Sequence, residues 1–201
     1  MTNHWNDLAN SDCILIMGSN PAENHPISFK WVLKAQDKGA KVVSVDPRFT
    51  HSSSKADFYV QLRVGTDIAF LGGVINYLLS NDKIQHEYVK HYTNAAFLID
   101  PGFKFEDGLF SGYDETKRSY GSKDTWKYQM GTDGFAKIDE TLQDPNCVFQ
   151  LMKKHYSRYT PEMVNKVCGT PKEKFQHVCE QFASTAVPGR AATILYADRK
   201  S

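Results

Sequence analysis

The chain predicts an α/β fold, a mostly parallel sheet doubly wound by helices on both faces, and three observations carry that prediction. The run Cys13-Ile14-Leu15-Ile16-Met17 is continuously apolar, as strands buried on both faces are. A helical pattern follows from Pro26 to Lys38 and stops at Gly39. A second short apolar run, Lys41 to Val45, comes next, and the connections on either side of the helix have lengths usual for a βαβ unit.

Each element has its own signal. In the first helix Ile27, Trp31, Val32 and Ala35 recur at helical spacing, with Lys30, Lys34 and Asp37 outward. Phe58 to Leu62 reads as a third strand. Thr66-Asp67 opens a helix with Ile68, Leu71, Ile75, Leu78 and Leu79 along one side, and the Thr66 hydroxyl suits an N-cap. Ile84 to Tyr92 predicts a short helix with Tyr88 and Val89 turned inward. Glycines then recur among Asp, Lys, Ser and aromatics from about 101 to 145, which predicts a loop-rich insertion. Its many aromatics, Phe103, Phe110 and Trp126 among them, favour packing over disorder. Helical order returns over 147–159. Thr160-Pro161 and the capping-box pattern Thr170-x-x-Glu173 open two further helices, the second running to about Ser184. Ala191 to Tyr196 closes the pattern as another parallel strand, with Asp198-Arg199-Lys200-Ser201 as a polar tail. The expectation is one Rossmann-like domain over 1–201 carrying an insertion at about 101–145.

Composition narrows the partners. The chain has 201 residues, 41% of them hydrophobic, which suits one core of ordinary size. Its net charge of +1, without a Lys/Arg tract, argues against nucleic acid. No apolar run approaches the roughly 20 residues that span a bilayer. Met1 to Asp7 lacks the basic start and apolar stretch of a signal peptide, so the chain as it stands is expected in the cytoplasm. Cys13, Cys147, Cys168 and Cys179 form no C-x-x-C pair and read as buried thiols.

The polar loop Gly18-Ser19-Asn20-Pro21-Ala22-Glu23-Asn24-His25 stands where a buried strand hands over to a helix, a place suited to phosphate. It is not G-x-G-x-x-G, because Asn20 occupies the second glycine position. Asn20 tolerates left-handed backbone and carries an amide for a ligand. Asn20 and Asn24 read equally well as a turn closure and a helix cap. Asp46, at the end of the second strand, suits ribose hydroxyls or a guanine edge; a plain turn residue before Pro47 is the alternative. Arg48 suits phosphate, or a surface ion pair. Gly65-Thr66-Asp67 makes a third such loop, and together the three point to a nucleotide. Catalytic motifs and metal-ligand spacings are absent. Glu106-Asp107, Asp114-Glu115 and Asp139-Glu140 read as solvated surface, and His86 and His91 as surface or packing residues; Ser52-Ser53-Ser54 could touch phosphate, but a plain polar loop accounts for them.

The whole pattern resembles the molybdopterin oxidoreductase family, through the segment Ile14 to Pro26, Val45-Asp46-Pro47-Arg48 and Gly65-Thr66-Asp67. Ser53 to Asp57 and Tyr159 to Glu162 look like family positions as well. The closest likeness is to the large (alpha) subunit of molybdenum- or tungsten-dependent formate dehydrogenases. That resemblance implies a domain gripping one arm of a bis-pterin cofactor, a molybdopterin guanine dinucleotide. Gly18, Ser19, Asn20, Glu23, Asn24 and His25 would line pyrophosphate and ribose; Asp46, Pro47, Arg48, Gly65, Thr66 and Asp67 would surround ribose and guanine. The family's cluster-binding cysteines and metal-ligating selenocysteine or cysteine have no counterpart here, so no iron–sulfur cluster, metal ligand or catalytic residue is expected. The chain resembles an internal piece of a large subunit, not catalytic alone. Its expected partners are the remaining segments of that subunit and its electron-transfer subunits, in a parent enzyme of either the cytoplasm or the periplasm. A stand-alone nucleotide-dependent dehydrogenase and a non-catalytic interaction module, docking through 101–145, are the alternatives.

Overall fold

A computed structural model describes residues 3–196. The polar tail expected at Asp198 to Ser201 lies outside them. In chain order the elements are β1 (Cys13–Met17), α1 (Pro21–Asn24), α2 (Pro26–Asp37), β2 (Lys41–Val45), α3 (His51–Lys55), β3 (Phe58–Val60), α4 (Asp67–Ser80) and α5 (His86–Tyr92). There follow four two-residue strands, β4 (Phe105–Glu106), β5 (Leu109–Phe110), β6 (Tyr113–Asp114) and β7 (Ser119–Tyr120). The chain continues with α6 (Val148–Tyr156), α7 (Pro161–Cys168), α8 (Lys172–Ala183) and β8 (Ala192–Tyr196). None of the described helices is long and apolar enough to cross a membrane.

The chain forms two compact units; one runs to Ile84 and resumes at Ser157, and the other is Gln85–Tyr156. In the first, four parallel strands stand in the order β3-β2-β1-β8. β1 is central and buried along its whole length, which its unbroken apolar sequence anticipated. Side chains alternate between the faces. Leu15, Met17, Val43, Val45 and Val60 pack against Phe70, Val74, Val164, Phe175 and Val178 of α4, α7 and α8. Ile14, Ile16 and Val42 pack on the other face against Phe29, Val32 and Ala35 of α2. Helices on both faces of a parallel sheet make the doubly wound α/β architecture that the sequence predicts.

Several local expectations need correction. Ile27 and Ile68 are 77% and 78% exposed, because the buried stripes run through Phe29 in α2 and through Ala69, Phe70, Gly73 and Val74 in α4. Tyr88 is exposed and stacks on Tyr92 at 5.5 Å. Thr66 makes no cap; its Oγ1 donates to the Arg63 carbonyl at 2.7 Å. The Thr170 capping box also fails to form, since the buried Thr170 hydroxyl donates to the Gln61 carbonyl (2.8 Å) and α8 starts after Pro171. Thr160 does cap α7, accepting from the Met163 N–H. The four cysteines are free and buried.

The expected insertion at about 101–145 falls inside the second unit, which is wider. α5 and α6 belong to it, and helical periodicity does not tell which core a helix joins. Its aromatics do pack. Phe110 lies 4.8 Å from Phe105 and 5.3 Å from Trp126, whose Nε1–H donates to the Ser111 carbonyl (2.9 Å). Asp139, expected as solvated surface, instead anchors a turn, accepting from the Thr141, Gln143 and Asp144 N–H groups and the Thr141 hydroxyl.

Candidate functional site

The strand order places β2 on one side of β1 and β8 on the other. The chain therefore winds in opposite directions from β1, and the carboxyl ends of the strands around that reversal are where open α/β sheets take ligands. Two depressions open there. A small cleft of about 40 Å³ is lined by Gly18, Ser19, Asn20, Asn24, Asp46, Arg48 and Thr50. A larger open groove of about 1010 Å³ runs beside β8, and Ser19, Pro21, His25 and Tyr196 are among its lining residues.

The floor of the cleft is built by backbone. Gly18 has φ +57°, a left-handed conformation that glycine adopts without strain, and its N–H donates to the Val45 carbonyl at 3.0 Å. A Cβ on Gly18 would meet nothing within 4 Å, so the space above this peptide is open. The Asp46 carboxylate accepts the Arg48 N–H (2.8 Å), closing the turn after β2. Tyr59 of β3 and Gln61 just after it hold the same turn, donating to the carbonyls of Asp46 and Pro47, each at 2.9 Å. Burial first, and then the Asp46 charge, push the Tyr59 phenol above its ordinary pKa, so it stays a donor at neutral pH. Among the described residues no carboxylate pairs with Arg48, so its exposed guanidinium keeps its donors.

Asn20 is held in detail. Its Oδ1 accepts from both the N–H and the hydroxyl of Ser52, at 3.1 and 2.9 Å. The Ser52 hydroxyl in turn accepts the Ala22 N–H at 3.0 Å. α3, which the sequence concealed within a run of serines, is opened by a capping box in which Thr50 and Ser53 exchange hydrogen bonds. Ser52 itself is 0% exposed.

Six of the predicted site residues, Gly18, Ser19, Asn20, Asn24, Asp46 and Arg48, thus share one cleft. Pro47 lies in the Asp46 turn but does not line the cleft, and Glu23 is exposed on the one-turn helix α1. His25 faces the groove, stacks on Trp5 at 5.4 Å and donates from Nδ1 to Asn24 Oδ1 at 2.7 Å. Gly65, Thr66 and Asp67 follow β3 but are absent from the cleft lining. Their loop is drawn toward α7: the Arg63 N–H donates to the Cys168 carbonyl and its guanidinium to the Lys166 carbonyl, each at 2.8 Å. Sequence reasoning missed Thr50 as a lining residue, and it took Ser52 for a polar-loop residue able to touch phosphate, not for the support of Asn20. The hydroxyl cluster after β2 was the only signal available for either.

The sequence model describing molybdopterin oxidoreductases matches residues 1–185 of the chain. The chain belongs to the molybdopterin oxidoreductase family. It is 53% identical over 197 residues to the formate dehydrogenase major subunit of Haemophilus influenzae. It is 54% identical over 198 residues to the nitrate-inducible formate dehydrogenase major subunit of Escherichia coli. In both comparisons 98% of this chain aligns with 19% of the relative, so it spans about a fifth of their length. Among solved structures, acetylene hydratase from Pelobacter acetylenicus matches 94% of the chain with a TM-score of 0.59 and 21% identity, over 18% of that enzyme's chain. That likeness supports the α/β fold alone. Membership of the family implies a molybdenum or tungsten pterin cofactor.

Proposed function

We propose that this chain holds one guanine dinucleotide arm of a bis-pterin molybdenum or tungsten cofactor within the large subunit of a formate dehydrogenase. The observation that carries the reading is the convergence of six family-implied positions, from two separate strand ends, on one cleft. The donor set fits the group. Arg48 offers a guanidinium to phosphate, and the open peptide at Gly18 lets an oxygen approach the backbone. Asp46 retains acceptor capacity for ribose hydroxyls or the N1–H and N2–H of guanine. Since one water needs roughly 10–15 Å³ of such space, the cleft admits a phosphate-sized group but not a dinucleotide. In this reading the rest of the arm lies outside it.

When bound, the metal–pterin group supplies the two-electron acceptor for oxidation of formate to carbon dioxide and a proton. The residues of this chain bind and orient; they do not perform that step. In this reading the groups that hold the metal belong to other segments of the large subunit. The partners in this reading are other segments of the large subunit and its electron-transfer subunits. Exposed apolar side chains beside the strand ends support covering by other protein: Ile27, Phe49, Val64 and Ile68 are 77%, 61%, 84% and 78% exposed.

Calorimetric titration with guanosine diphosphate tests the grip. The wild-type chain is expected to bind it, and Asp46→Ala to bind about tenfold more weakly or worse, the loss of a charge-assisted hydrogen-bond pair. Equal affinity in the two proteins counts against the assignment.

A further inference from the structure

Ser52 touches no surface, yet it joins the two loops that form the cleft. We infer that Ser52 is a positioning residue: through Asn20 it fixes which polar atom the first loop presents to the bound nucleotide. The inference rests on the reading of the cleft as a guanine dinucleotide site.

The argument is one of hydrogen-bond inventory. A backbone N–H can only donate, so the atom of Asn20 within 3.1 Å of the Ser52 nitrogen must be the amide oxygen. The Ser52 hydroxyl donates its proton to the same oxygen, and its lone pair takes the Ala22 N–H. Every capacity of that hydroxyl that the geometry requires is committed, and the residue is 0% exposed. Asn20 Oδ1 therefore receives two donors from α3, and the side chain cannot turn over without placing an NH2 against the Ser52 N–H and forfeiting the hydroxyl's proton. What Asn20 offers to the cleft it lines is Nδ2, which has no partner among the described residues. Asn20 thereby gives the cleft a fixed donor of the kind a phosphate or carbonyl oxygen accepts, while acceptors come from elsewhere in the lining, Asp46 among them.

The same three bonds hold the first strand-to-helix loop onto the segment that follows Asp46 and Arg48. They connect residues 30 to 32 positions apart, in a place where α1 is a single turn with no side-chain cap of its own. Ser53, next in sequence, bonds only within its own segment and to Ser44, so it supports α3 without reaching Asn20. Ser54 is exposed and bonds the His51 carbonyl.

The test is titration of the full chain with guanosine diphosphate in Ser52→Ala, Ser52→Thr, Asn20→Ala, Ser54→Ala and the Ser52→Ala/Asn20→Ala double variant, with thermal melts of each. Ser52→Ala and Asn20→Ala are each expected to weaken binding about tenfold, and the double variant no more than either single change. Ser52→Thr, which keeps the hydroxyl, restores affinity, and Ser54→Ala matches the wild type. Rescue by threonine together with non-additivity separates positioning from general loss of stability, which would add. Wild-type affinity in Ser52→Ala, or additive losses, overturns the positioning role while leaving the nucleotide site standing. Failure of the wild type itself to bind overturns both.

Discussion

At the residue scale, the cleft shows why single polar side chains resist assignment from sequence. The Asn20 amide has two faces, and the structure uses one of them for the fold, bonding it to Ser52. Asn20 as turn closure and Asn20 as ligand donor are thus compatible, each through a different atom. Thr66 and Thr170 stand at helix starts with the right side chain for a cap, and both hydroxyls donate backward to carbonyls instead. A motif such as T-x-x-E records only local opportunity, whereas the competing acceptor, the Gln61 carbonyl, comes from the segment just after β3, more than a hundred positions away. Asp139 carries a prediction at this scale. The Thr141 hydroxyl, assisted by backbone N–H groups, lowers its carboxyl from 3.8 to about 2. A depressed folded-state pKa means that the stability it contributes is complete above about pH 4 and is lost as the pH falls toward 2. Thermal melts should show Asp139→Asn less stable than wild type at pH 6, with the gap narrowing steadily as the pH falls from 4 toward 2. A gap that stays constant over that range contradicts the assigned anchor.

At the element scale, long and strongly patterned segments were legible and short ones were not. β1 announces itself by an unbroken apolar run, β2 by a short run that only Ser44 interrupts after Lys41, and β8 by its position after a helix. α1 and α3 are four and five residues long, too short to show a period, and α3 depends on a cap between Thr50 and Ser53 that a serine run hides. α4 was legible as a helix, and of its expected face Leu79 is buried and Leu71 and Leu78 pack against the core, but Ile68 is exposed and glycines occupy the closest contact. A Cβ at Gly73 would lie 2.5 Å from Val164 Cγ2 and 2.7 Å from Phe175 Cζ, both fully buried. α4 therefore approaches α7 and α8 more closely than any side chain would permit. Gly73→Ala gains roughly 1 kcal/mol of helix propensity but forces an overpacking cost of about 1–3 kcal/mol. The net expectation is destabilisation by up to about 2 kcal/mol in urea unfolding, and a higher midpoint contradicts the packing described.

At the scale of the whole molecule, topology made the site. The order β3-β2-β1-β8 brings the ends of β1 and β2 together, so loops 28 residues apart in sequence, at Gly18 and Asp46, meet in one cleft. The sequence pointed to those loops as neighbours because strand-to-helix turns of a parallel sheet open on the same edge. It did not reveal that the loop after β3 turns away toward α7, since that depends on the Arg63 contacts with the end of that helix. Nor did it reveal the extent of the second unit, whose helices carry the same period as those of the first.

Native mass spectrometry of the chain tests the central claim most directly, after incubation with guanosine diphosphate and then with pterin cofactor extracted from a molybdopterin enzyme. The account predicts a one-to-one adduct with each in the wild-type chain and its loss in Asp46→Ala. An absent adduct, or one equally abundant in Asp46→Ala, would contradict it.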